Sequence, residues 1–173
     1  MKTRFILILL LSFPFLLFAK GSYQEPHDFI AQAFNSLPPK PSVMWITGDT
    51  KDGVKKIMEH DLTSLRLRYW GKAQRTAWVL DEIGKEKPIT VGIIVNQNQI
   101  EQVKVLVFRE SRGGEVRYPF FTEQFLGSQI TTNHSLSQNV DGISGATLSV
   151  RALKKLATLA LYLHKKSQFN HEE

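Results

Sequence analysis

The sequence predicts an α+β fold, an antiparallel sheet flanked by helices. Three observations carry that expectation. Residues 89–96 and 99–108 are rich in Val and Ile and are separated only by Gln97-Asn98, which reads as a hairpin. Helix-patterned segments come first, in between and last around the strand-patterned ones, without the regular alternation of a parallel α/β chain. A long amphipathic run, residues 148–166, closes the chain and is entered through the heptapeptide 141–147, which holds two glycines. The length of 173 residues suits one domain with a real core.

Taken in order, Glu25-Pro26-His27-Asp28 opens a short helix with Phe29, Ile30, Ala33 and Phe34 as its apolar positions. The prolines of residues 37–41 forbid helix and central strand, so that segment is an extended connector. Residues 43–47 predict a short strand. Residues 49–60 predict a helix with Val54, Ile57 and Met58 inward. Strands at 65–70 and 75–80 are expected to flank a turn containing Gly71. After the 89–108 hairpin come a brief helix or turn at 121–126 and a polar connector at 128–140. In the last helix Val150, Leu153, Leu156, Ala157, Ala160, Leu161 and His164 fall near one face, and Lys154, Lys155, Lys165 and Lys166 lie mostly outside it.

Residues 1–21 stand apart. Lys2 and Arg4 precede an apolar run of about fourteen residues, and Ala19-Lys20-Gly21 offers small residues for cleavage. The run is shorter than the roughly twenty residues that span a bilayer. It reads as a secretory signal peptide, with an uncleaved membrane anchor as the alternative, and either way the chain is exported. Without Lys2, Arg4 and Lys20 the formal charge falls from +6 to +3. The basic and aromatic cluster Arg66, Arg68, Tyr69, Trp70 and Lys72 has the mix of a nucleic-acid patch. In an exported chain it reads instead as a strand with solvent-facing arginines, and no nucleic-acid partner is expected.

The chain has no cysteine, which removes disulfides, iron–sulfur ligation, thioether haem attachment and thiol nucleophiles. The five histidines show no metal-ligand spacing and read as scattered surface or capping residues. Hydrolase-elbow and Walker-type phosphate motifs are absent. No acid, base and nucleophile set converges.

Asp141-Gly142-Ile143-Ser144-Gly145-Ala146-Thr147 is therefore the chief candidate site. Its glycines allow a tight bend, and the helix start behind it offers free N–H groups and the positive end of the macrodipole. Physics alone reads an anion site, most naturally for a phosphate, with the Thr147 hydroxyl beside it. On the same residues Ser144 or Thr147 is equally an ordinary N-cap. The heptapeptide resembles the flavinylation motif, Asp-x-x-Ser/Thr-Gly-Ala-Thr, of the FMN-binding domain of the G and C subunits of the Rnf and Na⁺-pumping NADH:quinone reductase complexes. Asp141, Ser144, Gly145, Ala146 and Thr147 all match.

The resemblance implies FMN held covalently, through a phosphoester to Thr147 made by a separate flavin transferase. It also implies electron exchange with a membrane electron-transfer protein. It covers roughly residues 75–165, so the expected layout is 1–21 signal peptide or anchor, 22–74 an N-terminal helix/strand extension packed on the domain, and 75–173 the FMN-binding domain. A second segment, Glu110-Ser111-Arg112-Gly113-Gly114-Glu115, stands where the family has a Glu-Thr-Pro-Gly-type loop. Ser111 and Arg112 depart from that pattern, and on its own the segment is a glycine-rich turn. Placed beside a flavin, Glu110, Ser111 and Gly113 join the candidate site, with Tyr118 as a ring wall. Arg112 has two readings, a cation against the flavin's N1–C2 edge or a salt bridge with Glu110 or Glu115. Asp141 would repel a phosphate, so it is expected to turn back onto the N–H of Ile143 or Ser144.

Three functions remain open on these residues. They are an exported electron-transfer flavoprotein, a small flavin-dependent reductase, and a non-redox domain binding a phosphate ligand.

Overall fold

The computed structural model describes residues 21–170, so the expected export segment lies, Gly21 aside, outside the described residues. The elements run α1 (Pro26–Ala33), β1 (Ser42–Trp45), α2 (Gly48–Met58), β2 (Arg66–Lys72), β3 (Arg75–Ile83), β4 (Pro88–Asn96), β5 (Gln99–Phe108), α3 (Pro119–Thr122) and α4 (Thr147–Lys166). Single 3₁₀ turns at Gly114–Arg117 and Glu123–Phe125 flank α3. The five strands form one antiparallel meander in the order β1-β2-β3-β4-β5, so the fold is α+β as the sequence predicts. Among the described residues no helix is long and apolar enough to cross a membrane.

The sheet separates two cores. On its inner face α4 and α2 lie over Met44, Tyr69, Trp78, Leu80, Val91, Ile93 and Val95. All seven residues expected on the apolar face of α4 are buried. Burial continues around Ala152, Leu159 and Leu163, because α2 covers a second side of the helix. On the outer face α1 lays Phe29, Ile30, Ala33 and Phe34 on Ala77, Ile94 and Leu106. Gly92 lets that helix sit close: a Cβ there would stand 2.6 Å from the Phe29 ring.

The hairpin turn at Gln97-Asn98 has both residues left-handed, at φ 49° and 62°, as a two-residue turn matched to strand twist requires. The β2–β3 turn differs from expectation. Strand β2 runs on to Lys72, and the turn is Ala73-Gln74, with Ala73 at φ 50°. Gly71 is inside the strand because the Phe169 ring occupies the space of its missing side chain, 2.1 Å from an added Cβ. Strand β3 continues past Leu80 to Ile83. Its charged end is tolerated because Thr90 Oγ1 donates to Asp81 at 2.5 Å and His60 Nε2 sits 3.0 Å from Glu82.

The brief helix begins earlier than expected, with Pro119 at its first position. His164 is no surface or capping residue: it is fully buried, with Nδ1 at 2.8 Å from Thr76 Oγ1, which also accepts the Trp78 indole N–H at 2.9 Å. Burial pushes its pKa down to about 4.

Candidate functional site

Thr147 is the first residue of α4 and is exposed. The residue before it, Ala146, holds the N-cap position, and no side chain caps the helix. Ser144 and Thr147 are thus not acting as caps. The Ala146 N–H donates to Ile143 O at 2.9 Å, and the Val150 N–H returns to Ala146 O at 2.9 Å. The N–H groups of Thr147, Leu148 and Ser149 are left as the helix's open donors. Gly145 turns the chain into the helix at φ 81°, with no atom within 4 Å of where a Cβ would be. Its glycine answers a backbone requirement alone.

The second segment is fastened to this helix start. Gly113, at φ 79°, is buried, and a Cβ there would meet Ser149 Oγ at 2.8 Å and Ala146 Cα at 3.3 Å. Glu110 fastens the loop's other end. Its Oε1 accepts the backbone N–H groups of Lys85, Glu86 (2.6 Å) and Lys87 (3.0 Å) in the β3–β4 turn. Gly84 makes room for it, since a Cβ there would lie 2.9 Å from the same oxygen. Burial pushes the Glu110 carboxyl up, but the three N–H donors and Lys85 outweigh it and hold its pKa below the ordinary 4.5.

These three segments enclose a cleft of about 560 Å³ lined by Lys85, Glu86, Glu110, Ser111, Arg112 and Gly145 through Ser149. Ser111 and Arg112 are exposed on its wall. Arg112 forms no ion pair among the described residues, and Glu110 is taken up by the β3–β4 turn. Thr147 also borders a second cleft of about 610 Å³ with Ser144, Arg151 and Lys154. Cations therefore stand on both sides of the threonine.

Two expected residues stand apart from Thr147. Asp141 lines neither cleft; its Oδ1 accepts the Asn139 side-chain amide at 3.0 Å, and its own N–H donates to Gln124 Oε1 at 2.7 Å. The expected turn onto Ile143 or Ser144 is not formed. Tyr118 lines an adjoining cleft of about 610 Å³ that shares only Glu110, Ser111 and Arg112 with the first. There the Arg117 guanidinium lies 4.3 Å from the Tyr118 ring and 5.1 Å from the Tyr23 ring. Lys85, Glu86, Arg117 and Tyr23 had no motif to announce them. Only the hairpin spacing of β3 and β4 hints that Lys85 and Glu86 sit at a turn beside the loop after β5.

The family model described as FMN-binding domain matches residues 84–162. Residues 84–162 belong to the FMN-binding domain family. The match runs from the β3–β4 turn into α4 and so contains every segment that lines the Thr147 cleft. The chain is a flavin-binding protein, and FMN is its cofactor. No curated protein matches the chain. The residues present fit the cofactor's phosphate end: open helix N–H groups, a glycine contact that leaves no room for a side chain, and the cations Lys85 and Arg112.

Proposed function

We propose that Thr147 holds FMN through a phosphoester bond, and that the protein is an exported electron-transfer flavoprotein. It relays electrons between a membrane-bound donor and another exported or membrane acceptor. The supporting observation is the placement of Thr147, exposed at an uncapped helix start that forms one wall of a cleft. A threonine engaged in capping would have its hydroxyl occupied; this one is free to take an ester and is open to a flavin transferase.

The bond formed joins the Thr147 hydroxyl oxygen to phosphorus, with one FMN gained and one water lost overall; its activation belongs to the transferase. Bound there, FMN supplies one- and two-electron chemistry. The protein's own groups do the rest. The N–H groups of α4 and its macrodipole stabilise the phosphate charge. Arg112, which forms no ion pair among the described residues, would add positive charge beside the cofactor and so favour its reduced, more negative form. The Glu110 and Gly113 fastenings hold the 110–113 wall rigid against the helix.

The adjoining cleft at Tyr118 has the volume for a soluble substrate, about 610 Å³, and supports a second reading as a small flavin-dependent reductase. Steady-state turnover of the flavinylated protein with soluble acceptors separates the two.

Co-expression with a flavin transferase is expected to yield a band that fluoresces under ultraviolet light after denaturing electrophoresis. The intact mass should rise by one FMN less one water. Thr147→Val removes both signals and Thr147→Ser retains some label. Covalent flavin persisting in Thr147→Val overturns the attachment site. Flavinylated protein that energised membranes fail to reduce overturns the relay.

A further inference from the structure

Among the described residues, no helix packs on the outer face of β1 and β2. Helix α1 covers β3, β4 and β5 on that side, and its cluster ends at the half-buried Trp70. Beyond Trp70 the register places Val43 opposite Arg68 and Trp45 opposite Arg66, so these four side chains share the outer face. Trp45 is 62% exposed and Val43 47%. Arg66 and Arg68 are exposed, and among the described residues neither forms an ion pair. Asp81, on the neighbouring strand, is engaged by the Thr90 hydroxyl at 2.5 Å. Strand β1 is the sheet's edge, so the face lies at the margin of the molecule.

The geometry points to this face as a docking surface for an anionic lipid bilayer. Apolar and cationic groups alternate along one pleated plane. A tryptophan side chain there settles at the depth of the head groups. An arginine beside it buries its aliphatic stem and keeps its charge at the phosphates. Unpaired guanidinium groups supply the attraction to anionic lipid.

The register also orients the docked molecule. Trp45, Arg66, Ile83, Pro88 and Phe108 all lie at one end of the sheet. The β3–β4 turn and the loop after β5, which line the Thr147 cleft, leave from that same end. Two to three strand spacings, on the order of 10–15 Å, separate β1 from the β3–β4 turn. Docking through Trp45 therefore brings the flavin end of the sheet to the bilayer. The docking itself requires no flavin, so Thr147→Val should dock like the parent protein.

The test uses the full chain reconstituted into vesicles with brominated acyl chains, of phosphatidylcholine alone or mixed with phosphatidylglycerol. Trp45 quenching is read as the difference from Trp45→Phe, since Trp78 is wholly buried and Trp70 partly so. Quenching is expected with phosphatidylglycerol, relieved by salt and weak with phosphatidylcholine alone. Arg66→Gln with Arg68→Gln lowers the docked-to-undocked ratio about 30-fold at two charges removed. An unchanged circular dichroism spectrum shows that these exposed changes leave the fold intact. Three results overturn the inference: quenching equal in both lipids, quenching indifferent to the arginines, or a Trp45 shielded by polyglutamate yet open to iodide on every vesicle. The last assigns the face to an acidic protein instead.

Discussion

Gly113 is where the second segment presses on the flavin helix, and its replacement by alanine can be worked through quantitatively. Two costs combine. The residue sits at φ 79° and ψ 19°, a left-handed conformation that costs an alanine about 1–2 kcal/mol. The new methyl also falls 2.8 Å from Ser149 Oγ and 3.3 Å from Ala146 Cα and Cβ. The serine hydroxyl can rotate away, but the Ala146 backbone cannot. Crowding of that kind adds about 1 kcal/mol or more. Gly113→Ala is expected to cost about 2–3 kcal/mol in urea unfolding.

Gly145 is the internal control. Its φ is 81°, nearly the same, yet nothing lies within 4 Å of an added Cβ. Gly145→Ala therefore carries the backbone term alone, about 1–2 kcal/mol. The difference between the two variants isolates the contact between the 110–113 loop and α4. Equal costs would show that the loop does not bear on the helix start, and the account of a rigid cleft wall would fall with it.

Two further outcomes follow from charged and titrating groups. Glu110→Gln weakens the grip on the N–H groups of residues 85–87 and should cost about 1–2 kcal/mol at neutral pH. Because the folded pKa of Glu110 is held below the ordinary 4.5, its contribution is present above that value and lost as pH falls through the folded one. The gap between variant and parent must therefore close in acid. His164 has a folded pKa lowered from 6.5 to about 4. The unfolded chain thus takes up a proton that the folded chain refuses in that window. Stability is full above about 6.5 and falls by about 3 kcal/mol as pH drops to about 4. Urea midpoints across that range, compared with those of His164→Gln, check it: a pH dependence the variant fully retains refutes the assignment.

The parts of the fold that were legible in the sequence are those where local pattern and burial agree. The 89–108 hairpin shows its Val and Ile content and its two-residue turn openly. The seven inward positions of α4 recur at helical spacing because one stripe of that helix must face the sheet. Where a partner remote in sequence decides the local structure, no pattern exists. Gly71 looked like a turn residue, but it is a strand residue beneath the ring of Phe169, almost a hundred positions away. Asp81 and Glu82 looked like the end of a strand because their partners, Thr90 and His60, are brought up only by folding. At the site the same division holds. Ser144, Gly145 and Thr147 were legible because the chain's own turn and helix make them a unit. That Glu110 would be spent on fixing the β3–β4 turn was not, since its donors are three backbone N–H groups that carry no side-chain signature.

The openness of the α4 start is set by backbone conformation as well as by residue choice, and that separates two explanations of the missing cap. Ala146 has φ −118° and ψ 17°. The cap positions of α1 and α2, Glu25 and Thr47, are extended, with ψ of 139° and 163°. A capping side chain reaches the N–H groups of the first turn from an extended residue. At a ψ near zero the side chain of residue 146 points elsewhere, and Ala146 is in fact buried against Gly113. If alanine were the only reason the helix is uncapped, Ala146→Ser would stabilise the protein by about 1 kcal/mol. With the backbone held as it is by Gly145 and Gly113, the serine gains no cap and places a hydroxyl in a crowded site. The expected change in unfolding free energy is zero or a loss. A gain near 1 kcal/mol would mean that the helix start is free to close on itself, and that its open N–H groups are not built in for an anion.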